Sequence, residues 1–239
     1  MNPKIFTQKI LGVVQYYVSQ DSRKTWGKPF NDQTFRQQIF LELIQKINFS
    51  AIVETGTYRG TTTEYLHKSS QLPVYTVESN PRYYGYAKAR LFAYKDIVIS
   101  YGDSRSFLRR IVESSTLIQG QIFFYLDAHW GKDLPLKEEI QIIFENHPKA
   151  VVMVDDFKVP GDEEYKYDNY GEGKVLSQEY LEPVIKNLNL AAFFPSQRAE
   201  LETGAKRGCI VLTKNPDSIK KLQEMNTLIS YSNSYLSNN

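Results

Sequence analysis

The sequence predicts an α/β fold: a doubly wound, mostly parallel sheet of seven strands with a C-terminal antiparallel hairpin and helices at the N-terminus. Three observations carry this. Short apolar, β-rich runs at 51–53, 74–77, 97–101, 122–126 and 151–154 alternate with helical periodicity at 61–67, 81–94, 104–112 and 135–146. Several of those helices open on capping chemistry, with Asn80 before Pro81 and Asp103 before Ser104. Two late apolar runs, 191–194 and 209–212, flank a stretch with no helical pattern, which predicts a hairpin and one antiparallel strand at the sheet edge.

In chain order, residues 1–48 read as a helical extension. Ile5, Ile10, Leu11, Val14 and Tyr17 recur near helical spacing, as do Phe35, Ile39, Leu43, Ile44 and Ile47. Gly27, Pro29 and Asn31 mark a loop between the two helices. The α/β domain then runs over 49–214, and 215–239 is expected to be a helix with a frayed tail. Within the domain, 158–174 reads as neither helix nor strand. A loop of that length, leaving the carboxyl end of the fifth strand, is expected to cover a ligand site or to be a surface insertion.

Composition narrows the function classes. A net charge of +2 gives no electrostatic case for nucleic acid or an anionic membrane. The lone Cys209 rules out an internal disulfide and sits in an apolar run, as a buried structural thiol would. No long uncharged apolar stretch opens the chain, so neither a signal peptide nor a membrane span is expected, and the cytoplasm is the expected compartment. Seventeen tyrosines suit a wet cleft or a subunit contact, and the aromatic N-terminal helices suit a homodimer.

The chemistry lies at the strand ends. Glu54, Glu78, Asp103, Asp127 and the pair Asp155–Asp156 fall at or just past the five parallel strands, where open α/β sheets bind ligands. The first turn carries Gly56 and Gly60, with Thr57, Tyr58, Thr61 and Thr62 around them. A pyrophosphate cradle would need glycine at positions held by Tyr58 and Thr61, so that reading fails. The pattern suits a ligand with an amino acid and a nucleoside but no phosphate. Glu54 would meet its ammonium, and amides near Gly56 its carboxylate. Glu78, with Ser79 beside it, would accept from ribose hydroxyls, and Asp103 with Ser104 from an exocyclic amine.

Glu54, Gly56 and Gly60, then Glu78, then 102–104, then Tyr125-Leu126-Asp127, resemble in order the motifs of class I S-adenosylmethionine-dependent methyltransferases. The resemblance spans about 51–213 and implies a Rossmann-like sheet with S-adenosylmethionine as cofactor. Asp127, Asp155 and Asp156 end neighbouring strands, and oxygen-only ligation suits a hard cation such as Mg²⁺. This resembles the metal-dependent small-molecule O-methyltransferases of the macrocin, or macrolide-sugar, type, which implies those three aspartates as metal ligands. His129 follows two residues after Asp127, where it or Asp127 could act as general base. This chain departs there from the macrolide-sugar pattern of a second acid and a tyrosine. Trp130 would wall the acceptor pocket or pack in the core. The expected activity is methyl transfer to a hydroxyl of a small sugar-like or phenolic acceptor. A metal-dependent hydroxylase using Asp127, His129 and Asp155, and a non-catalytic cofactor-binding module, are the alternatives. Arg198, Lys206 and Arg207 are expected to form a solvated loop paired with Glu200 and Glu202.

Overall fold

The computed structural model describes residues 2–19, 28–113, 120–129 and 133–231. It opens with α1 (Pro3–Val18), a tight turn (Pro29–Asp32) and α2 (Thr34–Lys46). The alternating part follows as β1 (Phe49–Thr55), α3 (Thr61–Ser70), β2 (Val74–Glu78), α4 (Pro81–Arg90) and β3 (Ile97–Tyr101). It continues with α5 (Ser104–Glu113), β4 (Gln121–Leu126), α6 (Leu136–Asn146) and β5 (Val151–Val154). The last part holds α7 (Gln178–Leu188), β6 (Ala191–Pro195), β7 (Ile210–Thr213), α8 (Pro216–Gln223) and β8 (Leu228–Ser230).

The described residues form one sheet of eight strands, in the order β3-β2-β1-β4-β5-β7-β6-β8. Strands β1 to β5 pair in parallel, and the chain reverses its winding between β1 and β4. That reversal opens a crevice beyond the carboxyl ends of the strands. The register sets the strand ends side by side: Thr55 lies opposite Val77 on one flank and Leu126 on the other, and Leu126 opposite Val154.

Two expectations about the sheet are corrected, and one helix is added to the expected elements. It has eight strands rather than seven, because the three-residue β8 adds to β6 and is too short to leave a pattern. The antiparallel strand β7 is interior, inserted between β5 and β6, and the edge is β8. Helix α7 was not expected. Pro183 lies inside it, and an interior proline argues against a helix in sequence terms.

Alternation along the strands divides the core. Phe123 and Tyr125 of β4 face α2, α3 and α8 through Ile39, Phe40, Leu66 and Leu222. Phe124 and Leu126 face the opposite way, toward Leu108 of α5, Ile140 of α6 and Leu181 of α7. Helix α1 instead lies on α4, where a Cβ on Gly12 would collide with the Arg82 carbonyl and one on Gly85 with that of Lys9. The helix turns Phe6, Ile10, Leu11, Val14, Tyr17 and Val18 outward. No helix among the described residues is long and apolar enough to cross a membrane. Cys209 is a buried free thiol, as expected.

Candidate active site

The turn after β1 is built around an acid that water scarcely reaches. Glu54 is 1% exposed, and its Oε2 accepts from Thr63 Oγ1 at 2.5 Å and Thr76 Oγ1 at 2.6 Å. Thr57 Oγ1 lies 2.6 Å from Thr76 Oγ1 and extends the network. Oε1 is buried and has no hydrogen-bond partner among the described residues. Burial lifts the carboxyl to about 7, the two threonine bonds oppose that, and nearby Glu78 adds to it. An acid that keeps one buried oxygen bare is suited to an incoming cation.

Gly56 follows with φ of +90°, and a Cβ there would meet the main-chain carbonyl of Asp127. The first turn therefore presses directly on the end of β4. Glu78 is held rigidly: Oε2 accepts from the Tyr58 amide and Oε1 from the Asn80 amide, both at 2.7 Å. Each oxygen retains a lone pair for a further donor. Tyr58 packs its ring on Tyr83 at 4.4 Å between centroids. Gly60 forms the left-handed N-cap of α3.

The remaining expected cofactor contacts are less engaged. Thr62 accepts from the Phe30 amide at 3.2 Å, while Thr61 is partly buried and Ser79 exposed. Asp103 is occupied: it accepts from the Ser106 amide at 3.0 Å, capping α5, and pairs with Arg105 at 2.9 Å. That pairing holds its carboxyl below the ordinary range. Ser104 is buried at the start of the same helix.

The other half of the crevice lies beyond β4 and β5. Asp155 is 1% exposed and forms an ion pair with Arg36, also 1% exposed. Its Oδ2 accepts from Tyr125 Oη at 2.5 Å, and its Oδ1 also accepts from the Asp156 amide at 2.8 Å. Burial alone would raise this acid, but Arg36 and the hydrogen bonds bring it below the ordinary value. Asp156, at φ of +56°, turns its carboxylate to Arg207, whose guanidinium also grips Asp168. Burial and Asp155 push Asp156 up to about 7. Tyr170 donates to Asp168 and to the His129 carbonyl, fastening the 158–174 segment over this end. Between Asp155 and Ser177 the only regular pairing is two isolated bridges, Lys166 with Arg207 and Asn169 with Val175.

Asp127 has no hydrogen-bonded partner for its carboxylate among the described residues. Burial, then Asp155 and Asp156, drives it well above the ordinary value. His129 is 1% exposed, and neither ring nitrogen has a close hydrogen-bond partner among the described residues. Burial pulls its imidazole down to about 4 against the pull of Asp155, Asp168 and the main chain at Leu126 and Asp155. The neutral imidazole is the form that can accept a proton, but burial makes this one a weak base. Trp130 lies outside the described residues.

The expected metal set is likewise not assembled. Asp155 has both oxygens committed to Arg36, Tyr125 and the Asp156 amide, and Asp156 is held by Arg207. Among the described residues no group of three or more His, Cys, Asp or Glu side chains could hold a metal ion. Asp127, Asp155 and Asp156 thus do not fit Mg²⁺ in this arrangement, because guanidinium groups already neutralise two of the three. The same occupancy removes Asp155 from a redox-metal set.

The residues that sequence reading missed are Gln33, Arg36, Asp168, Tyr170 and the true partners of Arg207 and Glu202. One signal was available. Arg36 sits on the same helical stripe as Ile39, Phe40 and Leu43, and a charge on an apolar face must find a buried partner. Arg207 and Glu202 were expected to pair within their loop, but they reach Asp156 and α2 instead.

No protein-family model and no curated protein matches the sequence. Solved structures do match in fold. The O-methyltransferase from Bacillus cereus in complex with S-adenosylhomocysteine shares 16% identity, over 84% of this chain and 89% of that one, with a TM-score of 0.53. A methyltransferase from Podospora anserina bound to the same compound shares 10% identity over 89% and 88% of the two chains, with a TM-score of 0.50. A SAM-dependent methyltransferase from Aquifex aeolicus shares 12% identity over 81% and 95%, also with a TM-score of 0.50. The chain has the α/β fold of these S-adenosylmethionine-dependent enzymes, as its strand-end motifs led one to expect.

Proposed function

We propose that this protein transfers a methyl group from S-adenosylmethionine to a hydroxyl of a small molecule. The observation that carries the reading is Glu54. It is a buried acid at the carboxyl end of β1, with one oxygen pinned by two threonines and the other bare, in a fold shared with S-adenosylhomocysteine-bound methyltransferases. Glu54 Oε1 would take the ammonium of the amino-acid moiety, and Glu78, fixed by two amides, the ribose hydroxyls. Gly56 lets that turn approach the end of β4 where the acceptor half begins.

S-adenosylmethionine supplies an electrophilic methyl group on a sulfonium. The acid-rich crevice favours that positive charge, and Asp127 is the carboxylate left free of a partner to take the acceptor proton. Burial beside Asp155 and Asp156 raises its proton affinity, the direction that favours taking a proton. In the balanced step the acceptor oxygen gains the methyl, the carbon–sulfur bond breaks with its electrons going to sulfur, and the hydroxyl proton passes to Asp127. Arg36 and Arg207 hold the neighbouring aspartates, and the 158–174 segment keeps water from this end of the crevice.

Calorimetric titration with S-adenosylhomocysteine tests the cofactor half, and absence of binding ends the proposal. Transfer of labelled methyl to a panel of phenols and sugars, run in parallel with EDTA and with Mg²⁺, tests the chemistry. Turnover insensitive to EDTA is the result expected of guanidinium-held aspartates.

A further inference from the structure

The segment just before and at the start of α2 is stitched to the loop before β7 far more densely than packing alone requires. Gln33 is fully buried, and its side-chain amide pairs with the main chain of one residue. Nε2 donates to the Arg207 carbonyl at 2.7 Å, and Oε1 accepts from the Arg207 amide at 3.1 Å. Arg36 Nη2 donates to the same carbonyl at 2.5 Å, while Nη1 pairs with Asp155. From the opposite side, buried Glu202 accepts from the Phe35 amide at 3.0 Å and the Arg36 amide at 3.2 Å, a charged cap on α2. Thr203 Oγ1 donates to the Asp32 carbonyl at 2.6 Å, and the Ala205 amide donates to the Asn31 carbonyl at 3.1 Å. These bonds hold Phe30, Asn31 and Asp32 in three successive left-handed conformations, with φ of 50°, 55° and 64°. Such a run is unfavourable, above all for Phe30, and persists only where its surroundings enforce it.

What this arrangement aims is the guanidinium of Arg207. A two-point pairing to a residue's N–H and C=O restrains its backbone as a strand neighbour would, and so fixes the direction of its side chain. Arg207 then spans Asp156, at the end of β5, and Asp168, in the 158–174 segment. Alongside, the Lys166 amide donates to the Lys206 carbonyl and the Gly208 amide to the Lys166 carbonyl, both at 2.9 Å. We propose that Gln33 and Arg36 are positioning residues of the acceptor half: Gln33 acts through Arg207 to hold the 158–174 segment closed, and Arg36 sets Asp155. The start of α2 is then part of the site rather than an appendage to it. The acceptor role of this half rests on the methyl-transfer reading; the mechanical coupling does not.

A double-mutant cycle on the full chain separates the two. Hydrogen exchange is followed at the Lys166 and Asp168 amides, with amides of β2 as the control for global opening, in wild type, Gln33→Met, Arg207→Met and the double variant. Gln33→Met keeps the side-chain volume, and Gln33→Asn serves if it does not fold. The single variants are expected to speed exchange at Lys166 and Asp168 about tenfold, with β2 unchanged, and the double variant to exceed Arg207→Met by less than twofold. S-adenosylhomocysteine affinity should stay within about twofold of wild type throughout. Multiplicative rates in the double variant, or no change in the single Gln33 variants, would overturn the proposal. Failure of wild type to bind S-adenosylhomocysteine would instead overturn the methyl-transfer reading and leave the coupling result standing.

Discussion

Gly56, in the turn after β1, lies against the main-chain carbonyl of Asp127 at the end of β4, with no room for a β-carbon between them. Two strands distant in sequence thus meet at the point where the sheet reverses its winding. The turn after β1 and the main chain of Asp127 are held together by the absence of a side chain.

Gly56→Ala tests this contact. The alanine would face both the carbonyl and a φ of +90°, so the turn must shift away from β4. Strain of this kind is on the order of 1–3 kcal/mol, which predicts S-adenosylhomocysteine binding about tenfold weaker by calorimetry. Wild-type affinity in this variant would mean that the turn does not contact the cofactor.

Glu54 makes binding depend on pH in a defined direction. Burial raises its folded value to about 7 from 4.5, so between those values the folded chain holds the proton more tightly than the unfolded chain. Its contribution to stability is therefore full below about pH 4.5 and is lost as pH rises through 7. Cofactor binding runs the other way, because only the ionised acid attracts an ammonium. S-adenosylhomocysteine affinity should rise from pH 5.5 to about 7 and then level, and Glu54→Gln should bind more weakly with a flat profile. A flat wild-type profile contradicts the assigned role.

Glu78→Gln replaces a carboxylate that accepts from two amides at 2.7 Å with a group that presents a donor to one of them. Losing a charge-assisted bond and creating that mismatch should cost about 1–3 kcal/mol. Thermal unfolding should shift down by several degrees, and cofactor affinity should fall by an order of magnitude or more. Unchanged unfolding would show that the turn does not depend on this acid.

His129→Phe distinguishes a packing residue from a base. Burial lowers the imidazole from 6.5 to about 4, so the unfolded chain binds more protons between those values. The associated stability is full above about pH 6.5 and is lost as pH falls through 4. Phenylalanine should remove this acid limb from a stability–pH curve, and at pH 7.5 stability should hold or rise, since two buried nitrogens without a close partner among the described residues leave the core. Methyl transfer should remain within a few-fold of wild type. Its abolition in a folded variant would restore His129 as the base.

Much of the fold was legible because local pattern and global architecture agree. Alternating runs in β1 to β5, the Asn80 cap and the glycines of the first turn are all features of neighbouring residues, so the parallel sheet and its reversal could be read directly. Where local signals conflicted or were too short, the reading failed: Pro183 concealed α7, and three residues were too few to announce β8.

The candidate site divides in the same way. By itself the sequence determined which acids and glycines stand at the ends of β1 and β2, since Glu54, Gly56 and Glu78 lie where their own strands deliver them. Only the tertiary structure decided the charge pairing beyond β4 and β5. It brings Arg36 from α2 to Asp155, and it sets Arg207 between Asp156 and Asp168, pairings separated by 119, 51 and 39 residues. Spacing along a chain cannot specify which charge a buried aspartate will meet. A carboxylate taken from water needs whatever cation the packed fold places beside it, and here that cation is arginine.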